Sequence, residues 1–427
     1  MGLPPLIEIR PPAGPVRADV VVPGSKSITN RALVVAALAR GTCELRGALW
    51  SEDTEIMVKA LDDLGFAVHV EVDPGEAANR TIRVEGRGGE IPRAGTSEQP
   101  LPIHVGLAGT AARFLTAMLC LGRGSYRVSG VPRMHERPQE ELFAALRALG
   151  YRIEHTGGKL PAIIHGAGPR PGRAQVSAEQ SSQFASALLL SARVGGWEID
   201  VRGGDRDELP YVEMTRRLLA AFPSDGAPAS PVSFDVELDA SSGSYFAGAA
   251  WLLDQVPATR GSRVTVRGWP RSGWQIDAEL PRFLPLPAEL SRERDLADAI
   301  MTAIVLAPFA ARPTRFTELG RLRVQECERV RALRTELSRC GARVEESGDT
   351  LLVHPGPLHG ADIDTYGDHR VAMCFAMLGL AVPGMRVREP ACVKKTFPNF
   401  FAKLTELGAG VVDAAKGTPL EGSALLA

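Results

Sequence analysis

Six times along the chain a short polar group opens a run of Ala, Leu, Met and Phe at helical spacing. The runs are SKSITNRALVVAALA, GTAARFLTAMLCLG, SSQFASALLLSA, SSGSYFAGAAWLL, DLADAIMTAIVLA and GDHRVAMCFAMLGL. Anchored on Ser27, Thr110, Ser182, Ser242, Asp298 and Asp368, they lie 83, 72, 60, 56 and 70 residues apart. Each is apolar on most sides, which predicts helices buried at domain centres, where small side chains permit close packing. A second element repeats behind the first. VKALDDLGFAVHV, FAALRALGYRIEH, LRTELSRCGARVEES and KLTELGAGVV each predict an amphipathic helix stopped by glycine, then an alternating strand. Two noisier copies, TRRLLAAFPSDGA and AELPRFLPLP, fill the intervening slots. The predicted unit is small-residue helix, strand, amphipathic helix, strand, strand, with a period longer than common solenoid repeats.

A chain of 427 residues exceeds one ordinary core. Pro and Gly punctuate AFPSDGAPASPVSF after the third unit, and a strand-like LIEIR precedes the first unit. These features place units one to three at 24–236. Units four to six, joined by the N-terminal strand, occupy 1–23 and 237–427. The expected class is α/β.

A net charge of −1 argues against a broad nucleic-acid face and leaves room for a local basic pocket. No apolar run reaches membrane-spanning length, and MGLPPLIEIRPPAG lacks a signal-peptide core, so a cytoplasmic protein is expected. Six cysteines show neither C-x-x-C nor zinc spacing, and several fall inside apolar helices, as reduced thiols do. No metal site is expected. No G-x-G-x-x-G follows a strand, and Lys26 lacks the preceding Gly of a phosphate-binding loop.

Helix origins offer unpaired N–H groups and a positive dipole end, so six such origins could form an anion trap. Ser25 or Ser27 can cap the first helix, leaving Lys26 at its start and Arg31 one turn on. Gly109 admits close backbone approach, and Thr110 can cap. Arg133 and Arg137 precede Pro138, which reads as the first residue of a helix. Ser181, Ser182 and Gln183 bring hydroxyl and amide donors to a third origin. Asp298 stands where a capping acid is expected. Glu326 and Arg329 lie three apart, Asp368, His369 and Arg370 run together, and Lys394 and Lys395 close the series. Each fragment alone fits a solvated pair or an ordinary cap. Their shared position beside repeat elements points to a cleft for a polyanionic small molecule.

At these residues the chain resembles the enolpyruvyl transferase family, in its shikimate branch, nearly end to end. The carriers are PGSKSITNRA, AGTAARF, RMHERP, SSQF, DASSGSYF, ADAIMT, TYGDHRVAMCF and KTFP. The resemblance implies a two-domain inside-out α/β barrel, three units per domain with helices inward and sheets outward, closing over substrates. It implies transfer of enolpyruvyl from phosphoenolpyruvate (PEP) to the 5-hydroxyl of shikimate 3-phosphate, by a monomer without metal or cofactor. Carried over by motif, Lys26, Gly109, Arg137 and Gln183 would surround the PEP phosphate, and Arg329, Arg370 and Lys395 would hold its carboxylate. Ser27 and Arg31 would hold the shikimate carboxylate; Ser181, Ser182 and Gln183 would face the acceptor, with Tyr211 along its ring. Asp298 and Glu326 would be the acid–base pair, Asp298 and Gln325 on the acceptor side, with Lys26 and His369 close to the chemistry.

Four positions depart from the family pattern. Glu208 replaces a phosphate-binding Ser, Gln325 a substrate-side Lys, Arg321 an Asn, and Leu107 an Asn. A carboxylate about 4 Å from a phosphate costs roughly 4 kcal/mol per unit charge at an effective dielectric near 20. Arg321, four residues before Gln325, could replace the lost cation or pair Glu208. Two further readings therefore stand beside the first. One is a specialised relative acting on an unphosphorylated cyclic polyol, by enolpyruvyl transfer or by loss of water. The other is a non-catalytic metabolite-binding descendant, against which the intact Lys26, Asp298, Glu326, Arg370 and Lys395 speak.

Overall fold

A computed structural model describes residues 2–179, 181–203, 209–222 and 232–427. The chain divides into two compact units, Gly24–Glu237 and Met1–Pro23 with Leu238–Ala427.

In Gly24–Glu237, the helices are α1 (Lys26–Leu38), α2 (Glu52–Asp63), α3 (Gly109–Leu119), α4 (Pro132–Glu136), α5 (Glu140–Ala148), α6 (Ser182–Gly195) and α7 (Leu209–Ala221). The Ala-rich runs become α1, α3 and α6, which touch one another and are buried along nearly their whole length. Sheets lie outside them. Arg40–Leu49 pairs in parallel with Val232–Asp235 and antiparallel with Asn79–Arg87, which pairs with Val68–Val72. Leu101–His104, Arg123–Ser129, Lys159–Ala167 and Arg152–Thr156 repeat that order. Gly172–Ser177 and Trp197–Arg202 form a parallel pair.

In the other unit, α8 (Ala240–Gln255), α9 (Ile300–Leu306) and α11 (His369–Leu378) form the mutually packed set. Between and beyond them lie α10 (Arg329–Arg339) and α12 (Phe400–Glu406). Their core includes Phe246, Phe375, Phe397 and Phe400, all fully buried. The first strand, Leu6–Arg10, lies between Met385–Arg388 and Gly410–Asp413, with Ile9 opposite Met385.

Gly65, Gly150, Gly341 and Gly408 end their helices with φ of 88°, 85°, 92° and 76°, the left-handed geometry that glycine adopts without a Cβ clash. Within the described residues, the third and fourth repeats are shorter than the pattern predicts. After α7 the described residues supply one strand, Val232–Asp235. AELPRFLPLP forms no α-helix: Ile276–Phe283 is a 3-10 segment with Pro281 inside it. Pro281 has no N–H for an α-helical bond, and Pro285 and Pro287 follow closely. Among the described residues no helix is long and apolar enough to cross a membrane.

Candidate active site

In Gly24–Glu237, α1, α3, α6 and α7 are bound together near their starts by side chains from their first two turns. Asn30 donates to Thr110 Oγ1 at 2.7 Å, joining α1 to α3. Arg31 is 1% exposed. Its Nε donates to Thr215 Oγ1 at 2.7 Å, and Nη1 donates to the Ser27 carbonyl at 2.9 Å. Nη2 reaches Ser186 Oγ at 3.1 Å and the Tyr211 carbonyl at 3.3 Å. The guanidinium also lies over the Phe114 ring, 5.2 Å from its centroid. Burial pushes Arg31 down to about 10, because these partners are neutral and little charge opposes the desolvation. Arg113, also buried, donates to the carbonyls of Gly109 and Pro138 at 3.3 and 3.1 Å. It thereby ties the start of α3 to the loop that carries Arg137.

Gly109 has a steric reason. A Cβ there would lie 3.0 and 3.1 Å from the two terminal nitrogens of Arg137 and 3.1 Å from Arg113. The missing side chain lets two guanidinium groups close over a helix origin, where dipole and charge both favour an anion. Ser181 caps α6 by accepting from Gln183 N at 3.2 Å, and Ser182 is buried beside it. The side-chain oxygen of Gln183 is buried without a hydrogen-bond partner. Lys26 is partly exposed, 3.1 Å from Asp53 Oδ2 in the first turn of α2.

The other unit assembles Asp298, Glu326, Arg329, Arg370 and Lys395 into one network, with His369 buried beside it. Arg329, 1% exposed, donates to Asp368 Oδ2 at 2.7 Å and Glu326 Oε2 at 2.8 Å, and lies 3.6 Å from Asp298. Lys395 Nζ meets the other Glu326 oxygen at 2.9 Å. Arg370 Nη2 meets Asp298 Oδ2 at 2.9 Å, and Arg292 lies 3.8 Å from Oδ1. Counting Arg292, Arg329, Arg370 and Lys395 against Asp298, Glu326 and Asp368, four cations face three carboxylates, a net of one positive charge. Burial by itself would raise the Asp298 carboxyl; Arg370, Arg329 and Arg292 outweigh it and hold the group well below the ordinary carboxylate range. Burial drives His369 well below its usual value, so the imidazole is neutral, and neither ring nitrogen has a hydrogen-bond partner.

Several local readings are corrected. Asp298 does not cap α9; its carboxylate faces arginines, and no side chain caps that helix. Thr110 caps nothing and instead accepts from Asn30. Pro138 lies ahead of α5, which begins at Glu140, and Pro132 takes the first-turn position of α4. Arg133 pairs with Glu136 on the surface. The Gln325 side-chain oxygen accepts from Arg329, so it supports that guanidinium. Arg321 lies partly buried in the 3-10 turn Gly320–Val324, and Leu107 just ahead of α3. Glu208 falls outside the described residues. Sequence reasoning did not assign Asp53, Asp277, Arg292, Tyr245 or Thr215. Asp53 carried one usable signal, the acidic first turn of a helix opened by Ser51.

The fold matches solved enolpyruvyl transferases. EPSP synthase from Acinetobacter baumannii superposes with a TM-score of 0.77 at 22% identity, covering 96% of this chain and all of that one. The enolpyruvyl transferase NikO from Streptomyces tendae gives 0.68 at 16%, covering 95% and 98%. In sequence, 3-phosphoshikimate 1-carboxyvinyltransferase from Nostoc punctiforme is 37% identical over 440 residues, 94% of this chain and 99% of that protein. Its counterpart from Opitutus terrae is 38% identical over 433 residues, 95% and 98% of the two chains. The family profile described as EPSP synthase (3-phosphoshikimate 1-carboxyvinyltransferase) matches residues 11–282 and 290–404. This chain belongs to the EPSP synthase family.

Proposed function

We propose that this chain is a 3-phosphoshikimate 1-carboxyvinyltransferase, moving enolpyruvyl from PEP to the 5-hydroxyl of shikimate 3-phosphate. Family membership sets the substrate class. The observation that carries the chemistry is the pairing of Asp298 and Glu326 with Arg370, Arg329 and Lys395. A carboxylate held ionised by arginines can accept the acceptor hydroxyl's hydrogen bond at neutral pH, its basicity rising as those arginines turn to the PEP carboxylate, and a Lys–Glu pair at 2.9 Å can pass a proton.

In the addition step, the 5-hydroxyl oxygen bonds to C2 of PEP. The hydroxyl proton goes to Asp298, and the C3 methylene gains a proton from the Glu326–Lys395 pair. In the elimination step, the bond from C2 to the phosphate ester oxygen breaks, C3 returns its proton to the Glu326–Lys395 pair, Asp298 passes the hydroxyl proton to the departing phosphate, and phosphate leaves. Arg329, Arg370 and Lys395 bind the PEP carboxylate. Lys26, Gly109, Arg137 and Gln183 bind its phosphate and stabilise the leaving group, electrostatic work of the kind worth about 100-fold or more per donor. Ser27 and Arg31 take the shikimate carboxylate. Ser181, Ser182, Gln183 and Tyr211 line the acceptor, and neutral His369 borders the proton-transfer pair. The substrates are small molecules, and the working form is a cytoplasmic monomer.

Gln325, bonded to Arg329 where the family carries a lysine, favours a second reading in which the acceptor lacks the 3-phosphate. The decisive experiment is phosphate release from PEP with shikimate 3-phosphate and shikimate side by side. Turnover with the phosphorylated acceptor supports the first reading. Turnover confined to shikimate transfers the case to the second, and none with either rejects both.

A further inference from the structure

The turn that carries Asp298 is secured from elsewhere in the chain. The backbone N–H groups on either side of it, those of Ala297 and Ala299, both donate to Asp277 Oδ1, at 2.9 and 3.1 Å. The other Asp277 oxygen accepts the Ser241 hydroxyl. Asp277 lies in the 3-10 segment Ile276–Phe283, and Ser241 in the first turn of α8. One carboxylate, 3% exposed, therefore joins three segments at the point where Asp298 leaves the backbone. Three donors satisfy a group whose burial is otherwise costly. Asp298 in turn sends Oδ2 to Arg370, while its Oδ1 has no hydrogen-bond partner.

Building on the transferase reading, we propose that Asp277 is a positioning residue: by gripping the N–H groups flanking Asp298, it fixes which carboxylate oxygen meets Arg370 and which faces the acceptor hydroxyl. A misplacement of about 1 Å in such a group costs on the order of 100-fold in rate. Asp277 does not touch substrate in this scheme; it acts through the 297–299 backbone.

Positioning and plain electrostatics have opposite signs here. The charged groups facing Asp298 are Arg370, Arg329, Arg292, Glu326 and, from the 3-10 segment, Asp277. Asp277 and Asp298 repel each other, so deleting the Asp277 charge alone must lower the Asp298 midpoint. Loss of the seat against Arg370 must raise it.

The test is a carboxyl-carbon NMR titration of the full chain, with the Asp298 signal assigned by its loss in Asp298→Asn. Asp277→Ala is expected to raise the Asp298 midpoint by about one pH unit or more. Asp277→Asn, which keeps one acceptor oxygen for the two N–H groups, leaves it low. An unchanged or lower midpoint in Asp277→Ala overturns the proposal. Should that variant not fold, Asp277→Glu preserves the charge and displaces the turn by one methylene. In phosphate-release assays, Asp277→Glu is expected to lose about 100-fold in kcat with KM little changed, and Asp277→Asn to retain more activity. The reverse order, with the amide worse than the longer acid, also overturns it. A wild-type chain without phosphate release defeats the transferase reading alone, because the titration needs no substrate.

Discussion

Removing Arg329 exposes the energetics of the buried network. Asp368 is fully buried, and its carboxylate accepts from Arg329 Nε at 2.7 Å and from Arg370 N at 2.8 Å as the cap of α11. With about 4 Å between charge centres and an effective dielectric near 20, the Arg329–Asp368 attraction is about 4 kcal/mol. Arg329→Met leaves Asp368 buried with its charge largely uncompensated, and breaking such a pair costs about 3–5 kcal/mol. Asp368→Asn keeps the cap, because asparagine caps helices as well as aspartate. The double variant Arg329→Met/Asp368→Asn should therefore recover about 2 kcal/mol or more over the sum of the singles. Trp251, Trp269 and Trp274 lie in the unit that holds this network, and Trp50 and Trp197 in the other. Replacing the latter two with Phe makes fluorescence-detected urea unfolding report on the relevant unit. A loss below about 1 kcal/mol for Arg329→Met, or a double variant no better than additive, would refute the picture of a charge held by its partner.

Three further outcomes are expected. His369 is neutral when folded and takes up a proton on unfolding below about pH 6.5, so stability falls by up to about 1.4 kcal/mol per pH unit under that value and is flat above it. His369→Gln should flatten the melting temperature between pH 5 and 6.5; an unchanged slope would assign the acid sensitivity to other groups. Lys26→Ala and Arg370→Ala should each lower kcat/KM for phosphate release by about 100-fold or more, and near-normal turnover in either would remove that residue from the site. Glu208→Ser with Gln325→Lys should tighten binding of shikimate 3-phosphate relative to shikimate, read by titration calorimetry; equal affinity for the two acceptors in parent and variant would place both positions away from the phosphate.

The repeated helices were legible because a helix buried on every side needs small apolar residues all round, a pattern that survives without any alignment. The four glycine stops were legible for an equally local reason, the left-handed backbone just past a helix. The amphipathic slot of repeat four was not, since proline geometry around Pro281 overrides a helical spacing that is only approximate. Motifs supplied the candidate cations and the acids Asp298, Glu326 and Asp368, but not Asp53 or Asp277, and not who pairs with whom. Lys26 finds Asp53, Arg329 finds Asp368 and the backbone flanking Asp298 finds Asp277 by folding, and nothing in the local sequence states those pairings. Asp298 itself read as a cap because an acid before an apolar helix is usually one. The resemblance gave it the acid–base role instead, and its placement beside Arg370 with no side chain capping α9 removes the cap.

The strand Leu6–Arg10 has both its sheet neighbours near the far end of the chain, with Ile9 facing Met385, a difference of 376 residues. At roughly 5–20 residues per second of synthesis, that strand waits on the order of 20 to 75 seconds for a partner. Gly24–Glu237 leaves the ribosome complete within that interval, with Val232–Asp235 already available to Arg40–Leu49. Leu6–Arg10 therefore emerges unpaired on both sides while Gly24–Glu237 is able to fold, which makes that strand a segment that nascent-chain chaperones have long to meet.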